Sequence, residues 1–242
     1  MANKERILPA LDNLSQASRL RIFCGLTGGG PEKWLLSGSG QEIDSSLRSF
    51  MDEINSSGVL APFFLEYFFK DQRGWFTKEG EHFYSDAPRN FLLEEGRSNG
   101  FRGDVLALIS FLVIGIDGAD PRYYPNLKMD FLRKNDVLVT QIQAKKGLSQ
   151  ENRLDLKRVR WEMSLLNSVV DWAQGVGLPR VLVVPSANNY WSNNNYGQGG
   201  KDLGERLFLR YDVTARRCGF KQEEKNLPYV LELPNKTLFN AF

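Results

Sequence analysis

Residues 136–184 constrain the fold more than any other part of the chain, because they change hydrophobic period twice within fifty positions. Val137, Leu138, Val139, Thr140 and Ile142 make a β-rich run over 136–143, which Lys145, Lys146 and Gly147 interrupt. A long helix then opens near Ser149 or Gln150, a start that a serine N-cap favours. Val159, Met163, Leu166, Val170 and Ala173 recur at alternating steps of four and three, which places all five on one face of a helix reaching Gln174. Gly175, Gly177 and Pro179 stop it, and Arg180 to Val184 form a short β-branched strand. Two strands joined by a helical crossover in one sheet run parallel, with a right-handed connection. The expected class is therefore α/β (α+β), a mixed central sheet flanked by helices.

The rest of the chain supplies elements for the same architecture. An amphipathic helix is expected over 7–20, a strand over 21–27, a helix over 43–54 and a strand pair across 60–69 and 75–84. The aromatic side chains of that pair read as core, the alternative being a stack on a flat ligand. Gly28 to Gly30 lack the Gly-Lys-Ser or Gly-x-Gly-x-x-Gly context of a phosphate loop and read as a turn. Residues 104–117 are almost continuously apolar, so periodicity does not assign them, although the β-branched 113–116 favour a strand there. A polar loop rich in Asn and Gly occupies 185–200, a helix capped by Gly219 fits 207–218, and a strand fits 229–233. The organisation expected is an N-terminal part, 1–100, and a core, 101–242, within one compact domain.

Composition removes several chemistries. With one histidine, His82, and two cysteines, Cys24 and Cys218, the chain cannot assemble a Cys/His zinc cage, and every serine or cysteine triad would have to run through His82. Coordination of a metal by carboxylates stays open, and no metal-ligating residues are assigned. The cysteines lie far apart with no framework around them, which reads as free thiols and a cytoplasmic setting. The longest apolar run, 105–116, is too short to span a bilayer, so no membrane association is expected. Lys plus Arg number 31 against 29 Asp plus Glu, a formal charge of +2, so any contact with a polyanion must be local. One local excess exists: Lys145, Lys146, Arg153, Lys157, Arg158 and Arg160 face only Glu151 and Asp155 over the same stretch. It reads either as a phosphate-binding cluster or as a solvated helix face whose arginines cover the core.

The succession from Asp136 onward resembles the C-terminal half of the GNAT superfamily of N-acyltransferases over about 100 residues. The matching parts are the strand to Gln143, the turn at Lys145 to Gly147, the long helix, the strand Val181 to Val184, Asn188 after it, and the run Thr214, Ala215, Arg216, Arg217, Cys218, Gly219, Phe220. The resemblance implies an acyl-CoA-dependent N-acyltransferase that moves an acyl group from acetyl-CoA or another acyl-CoA to a small-molecule or peptide amine. It places the cofactor against Gln143, Ala144, Lys145, Lys146, Gly147 and Asn188. Backbone N–H groups at a helix start, with the helix dipole, suit a pyrophosphate there. The family's general-acid tyrosine position falls on Ala215, and Tyr211, one helical turn earlier, is the implied substitute. The turn itself departs from the family pattern, with its first glycine one place late and its second absent. The alternative is a non-catalytic GNAT-like module whose basic helix start and Asn-, Tyr- and Trp-rich loop bind a nucleic acid or a protein partner.

Two further candidates remain for a base. Asp117 and Asp120 follow the apolar run and read either as a base or as turn aspartates before Pro121. His82, beside Phe83 and Tyr84, reads either as a base or as an ordinary sheet residue.

Overall fold

The computed structural model describes residues 19–27, 63–71, 74–77, 82–84, 105–118, 128–189, 200–225 and 227–234. Eight strands form one mixed sheet: β1 (Arg19–Thr27), β2 (Phe63–Asp71), β3 (Gly74–Thr77), β4 (His82–Tyr84), β5 (Val105–Ile114), β6 (Asp136–Ala144), β7 (Arg180–Val183) and β8 (Tyr229–Glu232). Their spatial order is β4-β3-β2-β1-β5-β6-β7-β8. Strand β1 is parallel to β2 and β5, β6 is antiparallel to β5 and parallel to β7, and β8 closes antiparallel to β7. The mixed α/β class follows. The helices expected over 7–20 and 43–54 and the Gly28 to Gly30 turn lie outside the described residues, except that Arg19 and Leu20 open β1.

Strand β5 sits mid-sheet, and its side chains from Leu106 to Ile114 are all buried. Both faces are covered, which is why its sequence carries no alternation. The strand begins eight residues before the β-branched segment that signalled it and ends at Ile114; Ile116 is 51% exposed.

The crossover between β6 and β7 is helical and its strands are parallel, as the pattern of apolar residues requires. It is two helices, α1 (Gln150–Arg158) and α2 (Trp161–Gly175), where the sequence predicts one. The break falls at Val159 and Arg160, and Arg160 takes a left-handed backbone, φ 46°. The apolar stripe restarts after it. Leu165, Leu166, Val169, Val170, Trp172 and Ala173 are buried in α2, and Val159 is buried at the junction. Met163, expected on the buried face, is half-buried and lies outside the core cluster, because the break turns it away from the sheet.

At the start of the parallel pair, Asp136 and Arg180 are register partners and form a buried ion pair, with Nε of Arg180 donating to Oδ1 of Asp136 at 2.8 Å. Arg180 Nη2 also donates to the Phe131 carbonyl, and the Arg133 N–H donates to the aspartate. These bonds offset the cost of taking two charges out of water.

The last helical segment, residues 200–217, is composite: α3 (Gly200–Phe208), a π-helical turn (Leu209–Val213) and α4 (Thr214–Arg217). Leu207, Tyr211 and Ala215 pack inward. Asp212 is also buried: it accepts from the Ser186 N–H and from the Tyr229 hydroxyl, each at 3.0 Å, while Arg216 donates to that hydroxyl. The π turn thereby ties the segment after β7 to β8. Gly219 ends the helix at φ 88°, a conformation that glycine adopts without Cβ strain, and Phe220 drops into the core.

Candidate functional site

The turn after β6 is fixed from both sides. The Lys145 N–H donates to the Leu106 carbonyl at 2.8 Å, and Gly147 takes φ 77°, which reverses the chain into α1. The first turn of α1 is closed by Ser149, whose hydroxyl accepts from the Asn152 N–H and whose carbonyl accepts from the Arg153 N–H. Those two donors are therefore taken within the chain rather than turned to a pyrophosphate.

Beside this turn lies a cavity of about 1190 Å³. One wall is the turn Ala144 to Leu148 with Arg153, Leu156, Lys157 and Arg160; the facing wall is Arg206, Leu209, Arg210, Val213, Thr214 and Arg217. Each set recurs at steps of three and four, so each lies along one side of its helical segment. Trp161, Glu162 and Met163, at the start of α2, lie between them. Among the described residues, eight cationic side chains line the groove against one carboxylate, Glu162. The near-neutral net charge of the whole chain conceals this concentration.

The walls are joined at the helix break. The Arg210 guanidinium lies over the ring of buried Trp161, 5.6 Å from its centroid, a geometry that positions the cation by its attraction to the ring face. Burial lifts the Glu162 carboxyl above its ordinary range, partly offset by its own backbone N–H and by the charges of Arg210 and Arg217. Placed in the first turn of α2, which has no side-chain N-cap bond, Glu162 also complements the positive end of that helix.

Of the residues singled out in the sequence, Ala144, Lys145, Lys146 and Gly147 come together in the groove. Gln143 stays on β6, half-buried, where its side-chain oxygen accepts from the Gln141 amide. Asn188 is 2% exposed in the turn Ser186–Asn188, and it does not line the groove. Tyr211 is 1% exposed; its hydroxyl accepts from the Ile142 N–H at 3.0 Å, and burial raises its pKa. The role of general acid does not fit that position, because the hydroxyl is enclosed and engaged with β6. Asp117 accepts from the Lys134 N–H at 2.8 Å, as a turn aspartate does, while Asp120 and the side chain of His82 lie outside the described residues. Burial pushes the Cys218 thiol up to about 11, where it packs against the core.

Sequence reasoning missed the second wall. Arg206, Arg210 and Arg217 carry the signal in their spacing, but the apolar neighbours Leu207 and Leu209 hide which side of the helix is charged. Among the described residues, no group of three or more His, Cys, Asp or Glu is placed to hold a metal ion, and no helix is long and apolar enough to cross a membrane. The chain matches no family model, no curated protein and no solved structure.

Proposed function

We propose that this protein binds nucleic acid through its phosphates along the groove between the two basic walls. The observation that carries the reading is the ratio among the described residues of the groove, eight cations to one carboxylate, on its two walls. Residues three and four apart on a helix are separated by about 4.5 to 6 Å along its axis. Two such rows track an extended polyanion along its length, whereas a compact ligand would engage one end. Arg153, Lys157, Arg160 and Arg217 are exposed, which keeps them hydrated until phosphate replaces water and counterions are released.

The test is a salt titration with oligonucleotides and the variant Arg153→Gln, Lys157→Gln, Arg160→Gln. Wild-type affinity is expected to fall linearly with the logarithm of salt, and loss of three cations is expected to reduce the slope by about two for a single strand. Absent or salt-independent binding by the wild type ends this reading.

A second reading is acyl-CoA-dependent transfer to a small-molecule or peptide amine on a GNAT-like C-terminal half. It is favoured by Lys145, Lys146 and Gly147, which follow β6 and line the groove where a coenzyme A diphosphate would lie. A rise in melting temperature with millimolar acetyl-CoA, lost in Lys145→Ala, Lys146→Ala, would support it through mass action. In either reading the setting proposed is cytoplasmic, on the cysteine usage alone.

A further inference from the structure

The cations are not the whole of the groove surface. Leu209 stands between Arg206 and Arg210 on one wall and is 53% exposed. Half-buried Leu148, Met163 and Val213 line the same groove. A wall that met only the sugar-phosphate surface of a duplex would have no use for an exposed leucine among its arginines, since phosphate contacts are polar throughout. Unpaired bases present flat apolar faces beside their phosphates, and grooves that take single strands combine cations with side chains that meet those faces, most often aromatic ones; here the side chains available are Leu209, Leu148, Met163 and Val213.

From this juxtaposition we infer that the groove accepts single-stranded nucleic acid, with unpaired bases against Leu209 and its apolar neighbours and phosphates against the flanking arginines and lysines. The inference rests on the nucleic-acid reading and narrows it to one strand state. Leu209 sets the preference by contact with the bases, and the cations supply the affinity common to all polyphosphates. Because Leu209 is exposed and lies outside the buried core cluster, changing it leaves the fold in place.

The experiment compares three probes at one salt concentration: a mixed-sequence single-stranded oligonucleotide, a duplex with the same number of phosphates, and long-chain inorganic polyphosphate, which has no bases. Each is titrated against the full chain, Leu209→Ala and Leu209→Met. The single strand is expected to bind tighter than the duplex. Leu209→Ala is expected to weaken the single strand on the order of tenfold while leaving polyphosphate unchanged, and Leu209→Met to retain most of the affinity. Duplex binding equal to or tighter than the single strand overturns the inference and leaves the groove reading standing. An equal loss for polyphosphate and the single strand in Leu209→Ala, or no loss for the single strand, does the same. Failure of all three probes to bind overturns both.

Discussion

Helices α1 and α2 are successive parts of one crossover, yet two side chains of α1 are buried, Asp155 and Leu156, against nine of α2. The difference begins at the break. Before it Arg153 and Lys157, and at it Arg160, turn a cationic side to the groove; after it, Leu165, Leu166, Val169 and Ala173 press on the sheet. A single connection thus separates holding the fold from presenting charge, and the two tasks should respond differently to substitution.

The largest effect belongs to α2. Leu166 is fully buried, and Leu166→Ala is expected to cost about 2 to 5 kcal/mol in chemical denaturation, a transfer loss plus a cavity. The triple glutamine variant in and after α1 is expected to shift stability within about 0.5 kcal/mol while it weakens binding. Equal stability losses in the two variants would break the comparison.

Tyr211→Phe comes next. Removing the hydroxyl strands the Ile142 N–H in the interior, at an expected cost of about 1 to 3 kcal/mol, with oligonucleotide affinity unchanged because the residue does not line the groove. If the variant kept its stability and lost an acetyl-transfer activity measured in the wild type, Tyr211 would return as a proton donor.

The smallest effect is at Glu162. Its folded pKa is raised above the ordinary 4.5, so the native state holds the proton more tightly than the unfolded chain. Stability linked to this group is therefore present at and below 4.5 and is lost as pH rises through the higher folded value. Protonation also removes the carboxylate charge that Glu162 places in the groove. Glu162→Gln is expected to bind an oligonucleotide about two- to fivefold tighter than wild type at neutral pH, and the two are expected to converge toward pH 4.5. A constant ratio across that range would assign the carboxylate to capping α2 alone.

The parallel pair β6 and β7 was legible because Val137 to Ile142 and Arg180 to Val184 are short β-rich runs separated by a helical period. The extent of β5 was not, since a strand buried on both faces has the composition of a buried helix. The break at Arg160 was equally hidden: arginine is a good helix former, and nothing local marks it for a left-handed backbone. Half of the groove could be read from the charge run at Lys145 to Arg160. The other half depends on the sheet bringing residues 206–217 opposite that run, a long-range relation that local spacing does not encode.

The left-handed residue at the break has one more consequence. A side chain with a Cβ is strained at φ 46°, by roughly 1 to 2 kcal/mol, where glycine would sit without strain. The chain has an arginine there, and its guanidinium is one of the cations lining the groove. Local backbone comfort and ligand grip are thus set against each other at a single position. A search for more stable variants guided by melting temperature alone would be drawn to glycine at 160 and would strip charge from the groove without registering the loss.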